Sequence, residues 1–436
     1  MRGFFYIYNW MKNIAKLYIV LLILIGFYPD NSNPIDYKAL HWLMYSVLNT
    51  LFLVYFIINY KKISLPKSPV LISYLCFFVV SCLSIFVAIN KTESIVRLTD
   101  FYVITSTLFI CYIFIKQKLF SIKFILFAVL IKLSIELVQL YYQLYYYTSG
   151  FQYSFYGGQF SQYLKSNYGN KNVTSFAFLI QSSIAMISLS YTKSRFIKFL
   201  ISLIIFATIY SLYLISTRAV LLSIVLSLIV ISVFAIYKFF RLKSISNSDI
   251  KKIVLYFSIV FSSYMIFNLT NTDDNIIVAE RVSGLTNIEQ DESLSNRVRY
   301  WTHAFNSIRE NPILGVGVGN WRIVSTKYDS QNIYSYVVPY ATHNDFLEIF
   351  AEIGTLGFIS YIAFFFFLFQ KNFKNLIKWT NSNITINHLF LLLCLMYFIL
   401  DSSINFPLSR PLMQMVLILF IVLNELINSK KVSNED

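Results

Sequence analysis

The chain has 436 residues, of which 57% are hydrophobic and 13% charged, with a net charge of +15. Soluble domains carry about 25% charged residues, so the composition excludes an ordinary soluble enzyme and points to a polytopic membrane protein. The excess is not low complexity: Gly stands at 12 and Pro at 8, while Phe reaches 42 and Tyr 33, residues suited to bundle packing and interfacial belts.

A helix needs about 20 apolar residues to cross a bilayer. Such runs are read at 14–28, 39–59, 69–89, 97–115, 122–147, 173–191, 197–216, 219–238, 253–270, 353–370, 387–405 and 412–427. The expected fold class is therefore all-α, a polytopic transmembrane helix bundle of about 12 spans with a large extracytoplasmic helical loop. Nine spans fall in 1–270, the loop in 271–352, and three spans with a cytoplasmic tail in 353–436. The first run has the length of a signal peptide, but Tyr28, Pro29 and Asp30 follow it in place of a small-residue cleavage site. It is read as a retained span.

Charge sets the expected orientation. With both termini in the cytoplasm, the inward intervals hold 22 of the 36 Lys and Arg residues, and 16 of the 21 acids fall on the outward side. This is a positive-inside signal and not a nucleic-acid footprint. All four cysteines, Cys76, Cys82, Cys111 and Cys394, lie inside apolar runs, which implies neither a disulfide framework nor a Cys-based metal site.

Polar chemistry collects in the outward segments. One is 148–172, rich in Tyr, Gly and Gln; a second is the tight turn Ser216-Thr217-Arg218; a short one, 401–411, joins the last two spans. Arg218 is the only charge between Lys198 and Lys238. A charge near membrane depth costs several kcal/mol unless it is paired or functional. It either snorkels to headgroups or awaits an anionic ligand.

The longest polar stretch runs from Ser295 to Gly357. A helix is expected through about Glu310, where Asn311-Pro312 stops it. Successive residues on a helix turn by about 100°, so Arg297 and Arg299 face apart while Arg297 and Trp301 share a side. Arg297 offers a planar fork for phosphate oxygens, or else pairs with Asp291 or Glu292. The run Gly315-Val316-Gly317-Val318-Gly319 lacks the strand–helix context of a nucleotide site and reads as a tight, backbone-exposing turn.

Further along, Thr342 is the expected N-cap of the next helix and Asp345 its third residue, with His343 in the first turn. The positive end of a helix favours neutral, base-competent imidazole, although a lone His is more often structural. His41, His303, His343 and His388 show no ligand spacing, the pair Asp273-Asp274 is isolated, and the inward loops between spans hold one acid, Asp249. No metal site and no cofactor are expected. Lys132 and Glu136 are the clearest mid-span charges, spaced to neutralise each other.

Taken in order, these pieces resemble the O-antigen ligase and O-antigen polymerase superfamily of bacterial envelope enzymes. The resemblance covers roughly 205–360: Ser216-Thr217-Arg218 opening a span, Arg297 to Trp301, Asn311 to Gly317, and His343-Asn344 through Glu352 to Gly354. It implies an inverting transfer of a glycan from undecaprenyl diphosphate to an acceptor hydroxyl at the periplasmic face, without metal or nucleotide. Arg218 and Arg297 would then hold the diphosphate, and His343 would assist attack as general base or by positioning. Asn344, Trp301 and, from a weak Gly-x-x-x-Asn likeness at 169–172, Lys171 would contact substrate. The implied partners are the lipid-linked donor, a lipid A–core or other glycan acceptor, and the bilayer of a bacterial inner membrane. Within the superfamily a repeat-unit polymerase remains open beside the ligase, and outside it a polysaccharide exporter.

Overall fold

The computed structural model describes residues 2–28, 38–59, 67–149, 159–242, 247–270, 292–333, 340–377 and 385–429. Among them there are 14 helices and no strand. In chain order these are α1 (Arg2–Ile25), α2 (Ala39–Asn59), α3 (Pro69–Leu83), α4 (Lys91–Lys116), α5 (Ile122–Ser149), α6 (Lys171–Tyr191) and α7 (Arg195–Ile215). They continue with α8 (Arg218–Tyr237), α9 (Asn247–Thr270), α10 (Glu292–Glu310), α11 (Trp321–Asp329), α12 (Asp345–Ile377), α13 (Thr385–Ile404) and α14 (Pro411–Ser429). The fold class is thus an all-α polytopic bundle. Eleven stretches among the described residues are long and apolar enough to cross a membrane. Twelve runs are read from the sequence; the difference falls on α1, whose apolar run begins only after Lys16.

Local chemistry sets the helix ends. Asn90 opens α4 by accepting the Thr92 and Glu93 amides at 3.0 and 3.2 Å, and Asn170 opens α6 by accepting those of Asn172 and Val173 at 2.9 and 3.3 Å. Each bond satisfies an amide that the helix itself leaves without an acceptor. Between α7 and α8 only Ser216 and Thr217 intervene. Ser216 takes a left-handed conformation (φ 53°) and its amide donates to Leu212 O at 2.9 Å.

The chain divides into two compact units. The first comprises 1–120, 289–368 and 400–418, the second 121–288, 369–399 and 419–436. In the first, Asn49 of α2 links three helices: it accepts from Tyr18 of α1 at 2.7 Å and donates to Val103 O, Ser106 and Thr107 of α4 at 2.8–3.0 Å. An amide so completely bonded fixes helix register in an apolar setting.

In the second unit the mid-span pair Lys132–Glu136 on α5 does neutralise itself. Tyr168 is held by both partners at 2.8 Å, and Gln181 of α6 donates to Glu136 at 2.8 Å. Elsewhere in that unit, Lys238 pairs with Asp249 at 2.9 Å. These charges tie helices together.

Candidate functional site

In the first unit, the glycine run is a clasp. Gly315, Gly317 and Gly319 all have positive φ (68°, 93° and 76°), a region other L-residues rarely enter. Their backbone is buried against other elements. The Val316 and Gly317 amides donate to the carbonyls of Ala351 and Glu352 of α12 at 3.0 and 2.9 Å. Val318 N–H donates to Ser84 at 3.0 Å, and Ser94 of α4 donates to Val318 O at 2.6 Å. A Cβ on Gly317 would stand 2.5 Å from Ala88. The run therefore does not expose its backbone, as the sequence reading expects, but buries it.

Asn320 completes the clasp. Its side chain accepts the Asn90 amide at 2.7 Å and donates to Asn90 O, Ser94 and Val318 O at 2.9–3.2 Å. Next to it, Glu352 accepts the Trp321 amide at 2.9 Å. Gly354 breaks α12 (φ 74°, ψ −169°), and the Thr355 amide and hydroxyl then reach Pro312 O at 2.9 and 2.7 Å. The start of α12 is thereby anchored from below.

Above the clasp, α10 lies on the first turns of α12 through a core of Ala304, Ile308, Trp321 and Ala351. The expected division of its arginines holds. Arg299 and His303 both meet the buried Asp329 at 3.1 Å, joining α10 to α11. Arg297 and Trp301 face the segment before α12. Trp301 Nε1 donates to Thr342 O at 3.1 Å, and the Arg297 cation acts electrostatically on His343.

The helix cap differs from the expected one. Asn344, not Thr342, is the cap, its Oδ1 accepting the Leu347 amide at 3.1 Å; Asp345 is the first helical residue. The reason is Glu348, whose carboxylate takes the Thr342 amide at 3.0 Å. With its amide bound there, the Thr342 hydroxyl turns forward, accepting the Asn344 amide at 3.1 Å and donating to Asn344 O at 2.7 Å. His343 is left just outside the helix in a left-handed conformation, φ 55°. Such a conformation costs about 1–3 kcal/mol and persists only where the surroundings over-determine it.

The imidazole sits between two rings. Tyr300 stacks on it at 6.4 Å and 17°, and Phe406 meets it edge-on at 4.9 Å and 73°. His343 Nδ1 is buried with no hydrogen-bond partner among the described residues. Burial first, and then the Arg297 cation, push its pKa down to about 4. The ring is therefore neutral at physiological pH and able to accept a proton. Phe406 is a site residue that sequence reasoning missed. It lies in the 401–411 segment, and Leu408 N–H fastens that segment to Asp345 at 2.9 Å.

The structure thus brings Arg297, Trp301, His343 and Asn344 together in the first unit. Arg218 and Lys171 belong to the second. Each is half-buried and is the first residue of its helix, Arg218 of α8 and Lys171 of α6. A cation at a helix N-terminus adds to the positive end of the dipole, a placement that favours an anion. Asp273, Asp274 and Asp291 lie outside the described residues. Among those described, no group of three or more His, Cys, Asp or Glu is placed to hold a metal ion.

Residues 176–362 match the family model described as O-antigen ligase. No curated protein matches the chain.

Proposed function

We propose that this chain, a member of the O-antigen ligase superfamily of multi-pass bacterial membrane proteins, transfers a glycan from undecaprenyl diphosphate to an acceptor hydroxyl. The observation that carries the reading is His343, a neutral imidazole fixed in a left-handed backbone position beside an arginine. The donor arrives with its leaving group in place. The protein must orient the acceptor and stabilise charge that develops on the diphosphate.

The acceptor oxygen forms a bond to the anomeric carbon on the face opposite the diphosphate, which inverts that centre. The carbon–oxygen bond to the diphosphate breaks, and its electron pair leaves with the phosphate oxygen. The hydroxyl proton passes to His343, which later releases it to solvent or to the diphosphate. Arg297 supports both halves of this step: it keeps His343 unprotonated before attack and offers its fork to the leaving group. Trp301 positions the histidine through Thr342, and Asn344 presents its amide beside it. Arg218 and Lys171 take the role of further diphosphate contacts on the strength of their motifs and of their places at helix N-termini. In this reading both termini lie in the cytoplasm and the site opens to the periplasm of the inner membrane.

The test is transfer in proteoliposomes, with the intact chain compared with His343→Ala and Arg297→Ala. Glycan appearing on lipid A–core, lost in both variants while they still insert and fold, supports a ligase. Lengthening of lipid-linked chains without labelled lipid A–core makes the protein a polymerase. Movement of labelled glycan lipid across the bilayer with neither product refutes transfer altogether.

A further inference from the structure

Three carboxylates on the first turns of α12 each hold the backbone of a different segment around His343. Glu348 accepts the Thr342 amide at 3.0 Å, Glu352 the Trp321 amide at 2.9 Å, and Asp345 the Leu408 amide at 2.9 Å. All three acids are buried. Acids crowded on one helix end repel one another, and a buried charge left uncompensated is costly. A compensating cation comes from another helix: Arg97, near the start of α4, acts electrostatically on all three.

Arg97 is itself only 6% exposed. Its Nη1 pairs with Asp100 at 3.1 Å and its Nη2 with Glu348 at 3.8 Å, and the guanidinium carbon lies 5.1 Å from the centre of the Phe101 ring. A Cβ on Gly319 would stand 2.9 Å from Arg97 Cβ, so the last glycine of the clasp makes room for this side chain. Glu348 divides its two oxygens. Oε2 takes the Thr342 amide and Oε1 faces Arg97. A line of contacts therefore runs from α4 through one carboxylate to the residue immediately before His343. The left-handed backbone of His343, φ 55°, has to be imposed by its surroundings.

We propose that Arg97 is a positioning residue for His343, acting through Glu348 to hold the histidine loop in its reactive conformation. Its action is on the loop, through the carboxylate, and not on the substrate. The inference rests on the glycan-transfer reading for its kinetics but not for its effect on the loop.

The experiment uses the full chain in proteoliposomes, with Arg97→Gln alone and with one of its two ion-pair partners neutralised in addition. Arg97→Gln strands the charges of Glu348 and Asp100. Misplacing a reacting group by about 1 Å costs on the order of a hundredfold, so kcat is expected to fall about tenfold to hundredfold with donor and acceptor KM little changed. Adding Glu348→Gln removes one stranded charge and keeps an oxygen for the Thr342 amide; kcat should recover in large part. Adding Asp100→Asn relieves the other charge, so the unfolding temperature should rise while kcat stays low. A merely structural arginine predicts that kcat follows the unfolding temperature in both double variants, and that result overturns the proposal. So does an Arg97→Gln protein with unchanged kcat, or one altered in KM alone.

A second arm needs no transfer. The chain has four histidines, so protein labelled with [13C]histidine gives few Cα resonances, and His343→Ala identifies the one that reports the backbone at 343. That resonance should shift in Arg97→Gln, return when Glu348→Gln is added, and stay displaced with Asp100→Asn. If it does so while the intact protein transfers no glycan, the positioning stands and the function reading falls. A resonance unmoved by Arg97→Gln refutes the positioning whatever the kinetics show. Should Arg97→Gln fail to fold, Arg97→Lys decides: a point charge cannot span both acids as the fork does, so kcat should fall and the resonance shift. An Arg97→Lys protein unchanged in both overturns the proposal.

Discussion

Replacing Arg297 with Gln removes a charge from His343 without touching the ring. An ordinary imidazole titrates near 6.5, whereas this one is pushed to about 4, by burial first and by Arg297 second. If the neutral ring accepts the acceptor proton, the acid limb of kcat/KM in the intact protein lies near that lower value. At pH 5 about nine-tenths of His343 is then neutral. Complete loss of the shift would leave about 3% neutral, roughly a 30-fold drop at that pH.

Burial persists in Arg297→Gln, so the limb should rise only part of the way. The matched control is Arg299→Gln, two residues along the same helix but committed to Asp329; its limb should not move. The assay is transfer from lipid-linked donor across pH 4–8 in proteoliposomes. Bound diphosphate favours imidazolium, so the limb in kcat should lie above that in kcat/KM. A limb that stays put in Arg297→Gln, or moves equally in both variants, refutes the pairing of Arg297 with His343. The same depression affects stability with a defined sign. His343 binds protons more readily unfolded than folded, so its contribution is intact above about pH 6.5 and is lost as pH falls toward about 4.

Trp301→Phe deletes one bond to Thr342 O and should lower kcat at least about tenfold through misplacement of His343; thermal unfolding should change far less. Gly354→Ala puts a methyl group into the Ile313 carbonyl at a φ of 74°, and a loss of several kcal/mol should appear as a marked fall in unfolding temperature. Gly26→Ala, where the nearest atom is 3.3 Å away, should be mild by the same measurement. In the second unit, Lys132→Met leaves Glu136 buried without its cation, at a cost of about 3–5 kcal/mol. The double variant Lys132→Met with Glu136→Gln should recover much of that stability and retain transfer, whereas an obligatory charge relay would lose it.

Much of the architecture is legible because hydropathy and helical periodicity are local properties. The spans from α2 onward, the split between Arg297 and Arg299, and the self-neutralising Lys132–Glu136 pair all follow from spacing along one helix. The cap at 342–345 is misread because Glu348, six residues along, competes for the Thr342 amide, whereas capping rules weigh only the residue three along. The glycine run reads as an exposed turn because nothing in its own sequence announces Ala88 or Ala351 as neighbours. Phe406 is out of reach for the same reason: it meets His343 across about 60 residues of sequence and two intervening spans, α12 and α13, through tertiary packing that one-dimensional patterns do not encode.

The clasp at 315–320 also limits how this protein can be recombined. The polar stretch that carries the histidine has no hydrogen-bonded boundary of its own: Ser84, Asn90 and Ser94 hold it from the ends of two membrane helices, and Asp345 holds Leu408 from a third segment. Excised, 292–352 would lose every one of those partners, so it is not a cassette. A chimera that exchanges only this stretch with a relative should assemble poorly. One that carries along residues 84–94 and the 401–411 turn transfers the whole interlocked set.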